Sequence, residues 1–108
     1  MKVTDIWNTS KKPTISFELY PARSEKAAEK LERAIDELAA LKPDLVSVTF
    51  GAGGSTREGS RQLIEKLITE KGLELIGYFA GYGLGPEDIV AVLDSYQAMG
   101  IDNILVVR

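Results

Sequence analysis

Val46-Ser47-Val48-Thr49-Phe50-Gly51-Ala52-Gly53-Gly54-Ser55-Thr56-Arg57-Glu58 decides how the chain is read. An apolar strand runs into a glycine-rich turn, and the turn runs into a helix start. Three glycines in four residues permit backbone angles and close approaches that a Cβ forbids. Ser55 to Glu58 spells a capping box, with Ser55 as N-cap and Glu58 reaching back. In α/β proteins, ligands bind at turns of this kind, at the carboxyl ends of strands. The same turn also serves as a plain βα connection, because glycine clusters commonly do no more than permit a tight turn. If it binds, the helix N-terminus behind it favours an anionic group.

Outward from this unit the pattern repeats. Thr14–Tyr20 reads as a strand between Pro13 and Pro21, and Ser24–Leu41 as a helix capped by Ser24. Ala27, Leu31, Ala34, Ile35, Leu38 and Leu41 recur at three and four, which puts them on one face. The charged residues from Glu25 to Glu37 form the solvated face. Asp44–Phe50 is the second strand and Thr56–Lys71 the second helix, with Leu63, Ile64, Leu67 and Ile68 inward and Gly72 at C′. Leu73–Ala80 is the third strand. Gly85-Pro86-Glu87-Asp88 opens the third helix, with Ile89, Val92, Leu93, Tyr96 and Met99 inward. Gly100 closes it, and Asn103–Val107 is the fourth strand. Residues 3–8 predict a short extra helix, with Trp7 packed at the bottom of the sheet. The βαβαβαβ order implies a parallel sheet.

Composition narrows the chemistry. The chain has 108 residues, 44% hydrophobic and 27% charged, with a net charge of −3. That suits one domain with a modest core, and the acidic balance gives no support to nucleic-acid binding. With no cysteine and no histidine, disulfides, thiolate metal sites, imidazole bases and nearly all zinc sites are excluded. Side-chain catalysis is left to carboxylates, Tyr, Lys, Arg or a cofactor. No apolar run approaches the ~20 residues of a membrane span, and the N-terminus lacks a signal-peptide core. The expected location is the cytoplasm.

Glu18, Thr49, Tyr78 and Arg108 fall 31, 29 and 30 residues apart, each near the carboxyl end of a predicted strand. Side chains alternate along strands, so all four can share a face. A ring of polar residues there is the layout of a TIM-barrel active site, although strand ends are often polar for no functional reason. Gly81-Tyr82-Gly83-Leu84-Gly85 is not a dinucleotide fingerprint, because Pro86 stands where a further glycine is needed.

Together these segments resemble the methylenetetrahydrofolate reductase family. Lys12-Pro13-Thr14-Ile15-Ser16-Phe17-Glu18-Leu19-Tyr20-Pro21 is similar to its opening strand, with an F-E-x-x-P core. Leu41 to Arg57 is close to its signature, and Gly72-Leu73-Glu74 and Gly100 to Arg108 are similar to its third and fourth strand entries. The resemblance covers essentially the whole chain and the first half of the family's domain. It implies residues 1–108 as a single domain, the N-terminal half of a (β/α)8 TIM barrel. Four parallel strands would alternate with three helices, plus the short N-terminal helix.

The function implied is a flavin-dependent oxidoreductase of one-carbon and methionine metabolism. NAD(P)H reduces FAD, which reduces 5,10-methylenetetrahydrofolate to 5-methyltetrahydrofolate. Glu18 corresponds to the general acid; Thr49, Tyr78 and Arg108 correspond to cofactor-binding positions. No metal is implied. At Tyr78-Phe79-Ala80-Gly81 the family usually has His-Leu-Thr-Cys, so a tyrosine replaces the histidine that approaches the flavin, and phenol chemistry differs from imidazole chemistry. A TIM barrel needs ~250 residues, so the chain reads as a fragment, inactive alone, whose partner is a missing C-terminal half barrel or a second copy in a homo-oligomer. The alternative is a non-catalytic half-barrel module that self-associates or binds a partner, its flavin site degraded at Tyr78.

Overall fold

A computed structural model describes residues 1–49 and 57–108, with only the backbone of Arg57. The glycine turn, Phe50 and the Ser55 cap lie outside the described residues. In chain order the elements are α1 (Val3–Thr9), β1 (Ser16–Leu19), α2 (Glu25–Ala40), β2 (Leu45–Val48), α3 (Arg57–Lys71), β3 (Leu75–Ala80), α4 (Pro86–Ala98) and β4 (Asn103–Val107). All four strands are parallel, in the order β1-β2-β3-β4. Among the described residues, four helices alternate with four parallel strands in an α/β fold consistent with half of a TIM barrel.

Local chemistry accounts for the boundaries. Ser24 caps α2, its hydroxyl accepting from the Ala27 amide at 3.1 Å, an interaction of about 1 kcal/mol. Gly72 (φ +61°) and Gly100 (φ +81°) take the left-handed conformation after α3 and α4, which a Cβ would oppose. Pro86 opens α4 at its first position, where its missing N–H is not needed. The strands are shorter than their apolar runs. Thr14, Ile15 and Tyr20 fall outside β1, and Leu73 and Glu74 outside β3, because pairing covers only the length where neighbours overlap.

The register divides the sheet into two faces. Val46 pairs with Phe17 and Leu75, and Val48 with Leu19 and Gly77. Those residues face the helices. Val48 is fully buried, and Ile35 of α2, Ile64 and Leu67 of α3 and Tyr96 of α4 join it in one core. Across the helix surface, Lys66 pairs with Glu32, and Lys71 with Asp36 at 2.6 Å. These bonds tie α3 to α2 and hold the Asp36 carboxyl below, and the lysine ammoniums above, their usual ranges.

Three inward expectations are corrected. Leu41 is 69% exposed, because α2 ends at Ala40 and the chain turns away at its C-cap. Leu93 is largely exposed, and Tyr96 takes the buried place on α4. Trp7 is 64% exposed; it lines a cavity of about 630 Å³ at the amino end of the sheet, with Val3, Ser16 and Leu45, rather than filling it. Met1 anchors α1 from beneath, its ammonium 2.8 Å from Glu74 and 2.9 Å from Asp102.

Tyr96 fits under β3 only because residue 77 is glycine. A Cβ there would lie 2.8 Å from the Tyr96 ring. Gly77→Ala therefore has to displace the ring, and we expect a loss of about 1–3 kcal/mol in chemical denaturation. The Tyr96→Leu background should shrink that loss.

Burial pushes the Tyr96 phenol up to about 12, and its hydroxyl donates to the Tyr78 carbonyl at 2.8 Å. Below pH ~10 the phenol is neutral in both folded and unfolded chains. Between ~10 and ~12 the unfolded chain ionises first, so stability falls as pH rises. Denaturation across that range should show a loss of about 2 kcal/mol attributable to Tyr96. Tyr96→Phe should remove that share of the slope.

Candidate functional site

Residues opposite the helix face point to the open side of the sheet. Glu18 pairs with Ser47, Ser47 with Ile76, and Ile76 with Asn103, forming one row. One inner-face step nearer the carboxyl end, Tyr78 pairs with Leu105. Thr49 follows β2 two residues after Ser47, so it shares that face.

Glu18 is the centre of the arrangement. The Tyr78 hydroxyl donates to Glu18 Oε2 from two strands away. The Tyr20 hydroxyl donates to Glu18 Oε1 at 2.9 Å. Both carboxyl oxygens are thus engaged by phenols. Ser47 is buried on β2, between β1 and β3, and is the register partner of Glu18. The bond to Glu18 is the main cause that raises the Tyr78 phenol above its ordinary value, with desolvation adding and Ser47 opposing. The Tyr20 phenol is also raised, chiefly by its bond to Glu18. In both cases the neighbouring carboxylate disfavours a phenolate.

The other expected site residues stand apart from this cluster. Thr49 is half-buried. Its carbonyl accepts from the buried Ser60 hydroxyl at 2.6 Å, and its amide donates to the Leu19 carbonyl at 3.1 Å. The carboxyl end of β2 is therefore fixed to both β1 and α3. Arg108 follows the last residue of β4 and is exposed. The register puts Leu105 and Val107 on the Glu18 face, so alternation aims position 108 to the other side, against the expectation of one shared ring. Glu18 and Tyr78 are brought into contact; Thr49 and Arg108 are brought to the same end of the sheet.

Tyr20 and Ser47 were missed in the sequence reading. Tyr20 carries a signal, since it stands two residues after Glu18 and so shares its face. Ser47 carries one only when the β1–β2 register is known.

The carboxyl edge suits a flavin in its donor chemistry. A phenol (Tyr78) lies beside the open apolar flank of Leu105 and Val107, and a hydroxyl (Thr49) follows β2 at the same end of the sheet. A guanidinium (Arg108) stands at the rim. Flat ring systems need such a flank, and phosphates such a cation. Among the described residues no group of three or more acidic side chains is placed to hold a metal ion. No described helix is long and apolar enough to cross a membrane.

Comparison with known proteins identifies the family. The family profile described as methylenetetrahydrofolate reductase matches residues 2–108. The 5,10-methylenetetrahydrofolate reductase of Escherichia coli (strain K12) is 31% identical over 94 residues, covering 87% of this chain and 32% of that protein. The enzyme of the same name from Pectobacterium carotovorum subsp. carotovorum is 32% identical over 94 residues, with the same coverage. Methylenetetrahydrofolate reductase (NADH) 1 of Zea mays is 28% identical over 93 residues, covering 86% of this chain and 16% of that protein. The chain thus spans about a third of the length of its bacterial relatives. With the profile matched from residue 2 to residue 108, the chain belongs to the methylenetetrahydrofolate reductase family.

Proposed function

We propose that this chain contributes the acid-bearing part of a reductase that converts 5,10-methylenetetrahydrofolate to 5-methyltetrahydrofolate in the cytoplasm. The observation that carries the reading is Glu18, held at the open face of the sheet by two phenols within a chain of this family. Opening the methylene bridge requires a proton on a folate nitrogen. A carboxyl fixed at both oxygens delivers a proton to one place. Thr49, Tyr78 and Arg108 would hold FAD at the carboxyl edge, with Thr49 at its polar rim and Arg108 toward its phosphates. A bound FAD supplies hydride-carrying chemistry between NAD(P)H and the folate. A plant relative is named for NADH, which favours the same reductant here.

β4 leaves Ile104, Leu105, Val106 and Val107 exposed. Unpaired apolar edge strands recruit other strands. This favours closure of the barrel by further strands, supplied by a C-terminal half barrel or a second copy of the chain. A second reading, a non-catalytic module that self-associates through that edge, draws on the same residues. Sizing chromatography with FAD titration separates them, since the module assembles without binding flavin.

In the full-length protein, Glu18→Gln should leave flavin affinity nearly intact and lower folate turnover about 100-fold or more, as loss of a general acid does. Unchanged folate turnover would remove Glu18 from the mechanism. Thr49→Ala should weaken flavin binding in a fluorescence titration, by about tenfold for one hydrogen bond at 1.4 kcal/mol. An unaltered curve would take Thr49 out of the cofactor site.

A further inference from the structure

We propose that Tyr78 and Tyr20 form a hydroxyl cradle that keeps the Glu18 carboxyl in one place through both its protonation states, with Tyr78 as the positioning residue. This rests on the reading of Glu18 as a general acid. An acid that gives up a proton changes its hydrogen-bonding needs in that step. A carboxylate only accepts, whereas a carboxylic acid also donates. Neighbours that can only donate would clash with the acid form, and neighbours that can only accept would clash with the carboxylate. A hydroxyl does both, because its hydrogen rotates.

The geometry supplies two such groups. With Glu18 ionised, Tyr78 donates to Oε2 and Tyr20 donates to Oε1. With Glu18 protonated at Oε2, the carboxyl donates to the Tyr78 oxygen. Tyr78 then turns its hydrogen away from Oε2, and Tyr20 keeps its bond to Oε1. Only hydroxyl hydrogens move. When Glu18 delivers its proton, the carboxyl O–H breaks as the substrate N–H forms. Both phenols are then in place to stabilise the carboxylate, and water returns the proton afterwards.

The backbone beneath the phenol is held as well. Tyr96 donates to the Tyr78 carbonyl at 2.8 Å, and its ring packs against Gly77. A side chain seated this way loses little further freedom when the site is used. Among the described residues, the titratable groups on or beside this face are Glu18 from β1, Tyr20 just after it, Tyr78 from β3 and, at the rim, Arg108 just after β4. β2 offers only the hydroxyls of Ser47 and Thr49, and the inner face of β4 is apolar above Asn103.

Two measurements test the cradle. The first is phenolate absorbance against pH for the wild-type chain and Glu18→Gln. Two of the four tyrosines should titrate at lower pH in the variant, because the carboxylate no longer opposes their ionisation; identical curves would mean that the pairs are not made. The second is folate turnover in the full-length protein. Tyr78→Phe keeps the ring and removes the hydroxyl. It should lower kcat for folate turnover about tenfold and shift the acid limb of its pH profile, with the KM for folate unchanged. If Glu18→Gln loses turnover while Tyr78→Phe keeps both kcat and the limb, the acid stands and the cradle falls. If Glu18→Gln keeps turnover, the acid itself falls and takes the cradle with it.

Discussion

The two-residue alternation of the strands is the constraint on which this structure depends. Val46, Val48 and Leu75 must leave water, and α2, α3 and α4 supply the surface that covers them. Burying a side chain such as Val, Leu or Phe is worth about 1.5–3 kcal/mol. A slip of one residue in β1 would therefore exchange buried Leu19 for charged Glu18 at prohibitive cost. The same alternation turns Glu18, Ser47 and Tyr78 the other way. The polar cluster is where it is because the apolar residues between its members are buried beneath.

Tyr96 links the two faces. Its ring sits on the helix side against Gly77, and its hydroxyl reaches the carbonyl of Tyr78, whose own side chain is on the open side. Packing thus fixes the backbone from which a site residue projects. The contact is specific, since Gly77 has no Cβ to spare the ring and the phenol must find an acceptor once buried. Tyr78 in turn spends its hydroxyl on Glu18. At this strand end a phenol is joined to the Glu18 carboxylate, so Tyr78 sets the surroundings of that carboxyl directly.

The ends of the sheet differ in how complete they are. At the amino end, α1 is held by the Met1 ammonium on Glu74 and Asp102, and by Asn103, which accepts from the Val3 amide and donates to the Met1 carbonyl. At the carboxyl end, Thr49 is tied to β1 and α3 while Arg108 stands free of the sheet register. β1 and β4 form the edges, and β4 is apolar on both faces. An edge of that composition is a pairing surface, consistent with a fold that is half of a closed barrel.

Much of this was legible in the residues. Ser24 as a cap, Gly72 and Gly100 as stops, Pro86 as a helix opener and Asn103–Val107 as a strand are local signals, and local backbone chemistry obeys them. Glu18 was legible from its strand and motif. Leu93 and Leu41 were not placed correctly, because helical periodicity gives a face but not the edge of the neighbour that covers it. The bonds of Tyr78 to Glu18, and of Tyr96 to the Tyr78 carbonyl, were not legible either. They join strands and helices up to 60 residues apart, and their partners are chosen by register and stagger. The sequence by itself determined which residues alternate, which segments coil and where they stop, because those choices are settled within a few residues. Only the tertiary structure decided which hydroxyls meet the carboxylate, because that depends on how far one strand slides against the next.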